Sequence, residues 1–333
     1  MPNARILAVG RCVPPKVVTN DDLSEQMETT DEWIQQRTGI RERRFSEGNT
    51  GAADMALEAT REALDRAGLQ AKDIDCILLA TLSPDVDMPA SACLLQGYLG
   101  LEGVPAFDIR NQCSGFLYSL TTAEKFVRAG RFRHVLVVGA EVHSTGLDLT
   151  TRGREVGVIF GDGAAAAIVG VEPDPNRGIL ATRLHADGRF AEKLWLQYVS
   201  SRDRPRVSQT VLDDPTAPLF PKMEGRYVFK HAVTRLPEVI REVLDSCKLQ
   251  VSDISLLIPH QANIRINQAA AEVLGLPPER VFSNIERYGN TTAASIPLAL
   301  YEAIDAGLVP RDSLICLAAF GAGFTWAAAL IRW

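Results

Sequence analysis

Three polar side chains stand at points where apolar sequence gives way. Cys113, in FDIRNQCSGFLYSL, precedes a segment with no charged residue; His260 ends the strand-like run SLLIPH; Asn290 opens NTTAASIPLALYEAIDAG. A cysteine can act as a covalent nucleophile, and N–H donors such as histidine and asparagine can hold a developing oxyanion. Each alone has a plainer reading, because a cysteine or histidine within apolar sequence is usually a packed core residue. Asn111 reads as a helix N-cap, which puts Cys113 in the first turn, where unpaired N–H groups and the helix dipole favour a thiolate and lower its pKa. The charges of that helix, Glu124, Lys125 and Arg128, come late, so its first turns can be buried as a water-poor site requires. His260 falls at the carboxyl end of a strand, where open α/β sheets bind ligands. His134, His143, His185 and His231 have no comparable setting.

Strands and helices in alternation must hold these residues. CILLAT (76–81), HVLVVGAE (134–141) and AAAAIVGV (164–171) read as strands. TGAADMALEATREALDRAG reads as a helix, with Ala56, Ala59, Ala63, Leu64 and Ala67 at helical spacing and Gly68 as its stop. The turn-rich EPDPNRG (172–178) divides the chain into halves 1–173 and 174–333. The second half repeats the first: EALDRAGLQAKDIDCIL from Glu62 matches EVLDSCKLQVSDISLLI from Glu242, an offset of 242 − 62 = 180. CSGFLYSLTTAEKFVRAG from Cys113 matches the segment from Asn290, where 290 − 113 = 177. A duplicated α/β unit about a pseudo-twofold axis would set Cys113 and Asn290 face to face across a groove.

Composition bounds the reading. At 333 residues and 46% hydrophobic the chain can bury a large core, and a net charge of −6 argues against a sequence-independent nucleic-acid binder. Six cysteines without CxxC pairs argue against a zinc site or a disulfide framework and point to a reducing cytoplasm. The apolar run before Arg11 is too short for a secretory signal. LICLAAFGAGFTWAAALI (314–331) is uncharged over 18 residues, yet its central glycines suit two buried strands better than a membrane span. Residues 200–222, with four prolines, read as a long surface loop.

QCSGF, PHQANIRI, GNTTAASIPLAL, GAGFTW and DEWIQQRTGIRER, in that constellation, closely resemble the ketoacyl-ACP synthase III family of condensing enzymes, over nearly the whole chain. The resemblance implies a thiolase-like α/β fold of two duplicated halves in five αβαβα layers, a homodimer, and no cofactor or metal. It implies that Cys113 takes an acyl group from acyl-CoA, and that malonyl-ACP then loses carbon dioxide and attacks that thioester to give 3-oxoacyl-ACP, initiating fatty-acid synthesis. His260, neutral, and Asn290 would hold the malonyl thioester oxygen. The backbone N–H groups of Cys113 and Ala322, where glycine is usual, would hold the acyl oxygen.

By the same matching Trp33, Arg37 and Arg152 would contact the nucleotide of CoA, and Gly225, Phe229 and Asn263 would line the pantetheine tunnel. Met88 would reach across the dimer to the partner's acyl pocket. Lys230, Gln261 and Arg265 would meet the acidic acyl carrier protein, with Lys222, Arg226 and Lys230 on one helix face. Other readings differ in kind. A secondary-metabolism ketosynthase or acyltransferase with other acyl chains or acceptors would keep the same three residues. A cysteine hydrolase would want a base paired with its thiol, and a non-enzymatic acyl carrier or scaffold would need none of these polar groups.

Overall fold

The computed structural model describes residues 3–214 and 217–333, so Pro215 and Thr216, within the expected loop, lie outside the described residues, as do Met1 and Pro2. Among the described residues, one five-stranded sheet comprises β1 (Asn3–Cys12), β2 (Cys76–Ala80), β3 (Ala106–Ile109), β4 (His134–Glu141) and β5 (Gly163–Glu172), ordered β1-β5-β4-β2-β3. A four-stranded sheet comprises β6 (Gly178–Ala186), β7 (Leu256–Pro259), β8 (Leu314–Gly321) and β9 (Thr325–Arg332), ordered β7-β8-β9-β6. Both sheets therefore run in one pattern, β1-β5-β4-β2 and β6-β9-β8-β7. In each, β2 with β4 and β7 with β8 pair parallel, and the remaining pairs of the pattern are antiparallel. The place of β3 is marked in the second sheet by a single parallel bridge, Leu257 to Val281. The uncharged stretch near the end forms the β8–β9 hairpin, and no helix among the described residues is long and apolar enough to cross a membrane.

The helices that bear on the site are α1 (Asp31–Thr38), α2 (Ala52–Ala67), α3 (Ser91–Tyr98), α4 (Gly115–Arg128), α5 (Gly225–Ser246), α6 (Ile264–Leu274) and α7 (Ser295–Asp305). Strand alternation assigns them to layers. Val135 and Val137 of β4, with Ile315 and Leu317 of β8, bury against Phe116 and Leu120 of α4 and Ile296 and Leu300 of α7, so both helices lie between the sheets. Leu136 and Val138 face α2 on one outside, while Cys316 and Ala318 face α5 and α6 on the other. The result is five layers, helix, sheet, helix pair, sheet, helix. Strands covered on both faces need continuous apolar sequence, which explains the runs in β2, β4 and β8.

The duplication keeps one register through its centre. β4 and β8 start 314 − 134 = 180 residues apart, and so do the 3-10 turns Gln112–Ser114 and Thr292–Ala294 that lead into α4 and α7. The expected offset of 177 there is corrected. Helix α7, with 11 residues, is three shorter than α4, with 14, and the sequence match had aligned their Ala-Gly ends, where Gly130 and Gly307 both turn left-handed at φ 69°. The structural counterpart of Cys113 is therefore Ala293, not Asn290. Residues 200–222 carry a short helix, Gln209–Asp213, and Lys222 pairs with Trp195 in a two-stranded ribbon. Lys222 thus precedes α5 and does not share its face with Arg226 and Lys230.

Candidate active site

Cys113 sits in the 3-10 turn ahead of α4 rather than inside the α-helix, and the Asn111 side chain makes no capping bond, so the expected cap is corrected. The turn is tight because Gln112 takes φ 43°, and it brings Cys113 up against the end of β8. Gly321 lies against it there: a Cβ on Gly321 would fall 2.4 Å from the Cys113 Cβ and 2.8 Å from its Sγ. Only glycine lets that strand end approach so closely. The backbone N–H groups of Ala322 and of Cys113 itself donate toward the sulfur, and Ala322 is not among the residues with positive φ. The expected lowering of the thiol pKa is not found. Burial pushes the Cys113 thiol up to about 12, the Glu141 charge adds to this, and the two backbone donors only partly offset it. The resting residue is a buried neutral thiol.

His260 follows the last residue of β7, its N–H bonded to Ala318 O at 2.8 Å. Its Nδ1 lies 2.6 Å from Ser295 Oγ, and Nε2 is buried without a partner among the described residues. Burial pushes its pKa down to about 3, so the ring is neutral. The Ser295 hydroxyl accepts the Gln261 N–H at 3.4 Å and still has a proton that it can give to Nδ1. In that arrangement the ring proton sits on Nε2, which is then a donor. Asn290 is fixed through its backbone to Ile159 and Gly161, and its Oδ1 accepts the Thr292 N–H at 2.8 Å. With the oxygen engaged, the amide NH2 is the end left to donate.

Cys113, His260 and Asn290, 8%, 3% and 5% exposed, line a single cavity of about 1020 Å³. The same cavity is lined by Trp33, Arg37, Gly225, Arg226, Phe229, Asn263 and Arg265. Arg37 lies 4.3 Å above the Trp33 ring, so a base could stack between them only after the exposed guanidinium swings aside. Asn263 caps α6 by accepting the Arg265 N–H and donates to Arg37 O, which ties α6 to α1. Arg152 is not a lining residue; it bonds Asp148 at 2.6 Å and lies over Phe220. Lys230 is exposed on α5, and Arg265 lies over Phe229. Gln261, expected to meet a carrier protein, is 1% exposed, with its side chain bonded to Pro259 O, Ser283 and Asn284. Met88 is 84% exposed and lies away from the cavity.

Two groups escaped the sequence reading. Glu141 is wholly buried at the end of β4, accepting from Ser83 Oγ at 2.6 Å, Leu82 N at 3.1 Å and the Ala293 N–H. His143, set aside as a histidine without context, is buried with Nε2 2.7 Å from Thr292 Oγ1. The available signal was an acidic residue closing the apolar run Val135–Ala140.

Comparison with known proteins agrees with this geometry. Residues 107–188 match the family model described as 3-Oxoacyl-[acyl-carrier-protein (ACP)] synthase III, and residues 244–333 match its C-terminal model. A beta-ketoacyl-[acyl-carrier-protein] synthase III of Xanthomonas campestris is 45% identical over 99% of this chain and 98% of that protein. The solved 3-oxoacyl-[acyl-carrier-protein] synthase III of Aquifex aeolicus superposes with TM-score 0.91 at 43% identity, covering 99% of this chain and 100% of that one. A priming beta-ketosynthase of the R1128 polyketide pathway follows at 34% identity and TM-score 0.90, covering 99% and 96%. The fold is the thiolase-like one expected, and this chain belongs to the 3-oxoacyl-[acyl-carrier-protein] synthase III family.

Proposed function

We propose that the chain is an acyltransferase that condenses an acyl-CoA primer with malonyl-ACP, giving 3-oxoacyl-ACP, CoA and carbon dioxide, as the initiating step of fatty-acid synthesis. The observation that carries this reading is the buried Nε2 of a neutral His260, without a partner among the described residues, in one cavity with Cys113 and Asn290. In the first half-reaction Cys113 Sγ attacks the thioester carbonyl and CoA leaves with the thiol proton. The N–H groups of Cys113 and Ala322 hold the tetrahedral oxyanion. In the second, malonyl-ACP loses carbon dioxide; the electron pair left behind becomes an enolate whose oxygen takes hydrogen bonds from His260 Nε2–H and the Asn290 amide. That carbanion attacks the acyl-Cys113 thioester and expels the thiolate. No base is required of His260, whose low pKa would make it a poor one.

Trp33 and Arg37 would receive the adenine, Gly225, Phe229 and Asn263 the pantetheine arm, and Arg152 the nucleotide's outer part. Arg226 and Arg265, exposed residues that line the cavity, and Lys230, exposed on the same helix as Arg226, would meet an acidic carrier protein on a chain of net charge −6. Among the described residues the outer edge of β3 has no partner strand; Phe107 on that strand is 47% exposed, and Met88, three residues ahead of α3, is 84% exposed. A second copy continuing the sheet there would cover both, which supports a homodimer. We place the junction of the halves at 173/174, and the enzyme in the cytoplasm. The test is a mass-spectrometric survey of acyl-CoA labelling followed by malonyl-ACP. Labelling confined to Cys113, abolished by Cys113→Ser and discharged by malonyl-ACP, supports the reading; labelling of another cysteine at the wild-type rate sinks it.

A further inference from the structure

Thr292 is a β-branched residue at φ 46°, a conformation such side chains rarely adopt. The strain falls on one chemical feature, because the Thr292 N–H is what engages Asn290 Oδ1 and so decides which end of that amide faces the cavity. Two side chains from the end of β4 grip this turn. His143 Nε2 lies 2.7 Å from Thr292 Oγ1, and the Glu141 carboxylate accepts the N–H of Ala293, the next residue. His143 is itself fixed: its N–H donates to Asp162 Oδ1 at 2.7 Å, and its ring packs 4.7 Å from that of Phe160, which lines the cavity.

We propose that His143 is a positioning residue for the decarboxylation step, holding Thr292 in its left-handed turn and thereby aiming the Asn290 amide at the malonyl thioester oxygen. It touches no substrate and acts only through Thr292 and Asn290. The Cys113 side of the cavity, set by the Gln112 turn and Gly321, does not depend on it. This rests on the condensing-enzyme reading above, and predicts that the two half-reactions separate.

The variants are His143→Phe, which keeps a ring against Phe160, and Thr292→Val, which keeps the branched shape; both delete the bond. Misaiming one donor should slow decarboxylation of malonyl-ACP on the order of 10- to 100-fold, with acyl transfer from acyl-CoA to Cys113 within about threefold of wild type. His143→Gln, whose amide nitrogen reaches where Nε2 lies, and Thr292→Ser should recover most of the loss. Parallel loss of both half-reactions without recovery in the conservative variants would make His143 merely structural and overturn the inference. Decarboxylation unchanged in His143→Phe would overturn it too, while the reading of the site stood. A wild-type protein that is acylated but never decarboxylates malonyl-ACP would instead overturn that reading, and the inference with it.

Discussion

Glu141 ends β4 as Gly321 ends β8, 321 − 141 = 180 residues later, and the two residues make opposite use of equivalent positions. Beside Gly321 the space over the helix-leading turn is open and Cys113 occupies the turn. Beside Glu141 the equivalent turn carries Ala293, and the carboxylate itself takes the Ala293 N–H. The Val142 N–H, counterpart of Ala322, is taken at 2.8 Å by the Ser83 hydroxyl. Of these two duplicated turns, the one proposed to hold the oxyanion thus faces the cavity and the other is filled by protein.

Gly321→Ala should therefore abolish acylation of Cys113. Its Cβ would fall within 3 Å of both Cys113 side-chain atoms, a contact neither the strand end nor the tight turn can relieve. Radiolabelled acyl-CoA transfer measures this, and a variant that labels at the wild-type rate would show the approach to be slacker than the geometry requires.

Glu141→Gln should make Cys113 easier to ionise. Burial is the main reason the thiol sits near 12, but the Glu141 charge is the next. The rate of alkylation by iodoacetamide against pH should shift toward lower pH in the variant; an unchanged profile would mean the charge is not felt at the sulfur. Stability gives a second readout. Burial raises the Glu141 carboxyl from 4.5 to about 7, so between those values the native state holds a proton that the unfolded chain has released. This contribution to stability is present below pH 4.5 and is lost as pH rises through 7. Urea unfolding across that window should show the wild type declining relative to Glu141→Gln.

The strands and the three candidate active-site residues were legible because they follow local rules. Continuous apolar runs marked β2, β4 and β8, and Gly68 stopped α2 in the left-handed conformation expected of a C-terminal glycine. What failed depended on three-dimensional packing. The first turn of α4 could not be assigned as 3-10, because Gln112 at φ 43° is not a residue that announces such a backbone. The thiol's ionisation was misread because a dipole argument sees the turn and not the depth of burial. The burial of Gln261 is not legible in sequence, because its neighbours in PHQANIRI do line the cavity while its side chain turns inward to Pro259 and Ser283.

Reversing the charge of Lys230 or Arg265 should raise the KM for malonyl-ACP several-fold at low salt, with the effect shrinking as ionic strength rises. Both side chains are exposed, so fold and acyl transfer from CoA should be nearly unaffected. Equal losses in both half-reactions would point to a structural role for these residues.

Ser295 offers the sharpest separation of the histidine's role from the cysteine's. If His260 donates from Nε2, something must hold the other nitrogen as an acceptor, and Ser295 Oγ at 2.6 Å is the group placed to do so. Ser295→Ala would leave Nδ1 free to carry the proton and would remove part of the Nε2–H population, so decarboxylation of malonyl-ACP should fall. Deleting an oxyanion donor outright costs about 10² to 10³ in rate, so His260→Ala and Asn290→Ala should show losses of that size and Ser295→Ala a smaller one. All three should still accept an acyl group, because the donors at the sulfur are the N–H groups of Cys113 and Ala322. A thiol activated by its histidine would behave differently: His260→Ala would fail at acylation itself, and Asn290→Ala would not share its pattern. Timed labelling with radiolabelled acyl-CoA, run beside carbon dioxide release from malonyl-ACP, distinguishes the two. Retained labelling with graded loss of release across the three variants supports the donor role, whereas loss of labelling in the histidine variant alone would overturn it.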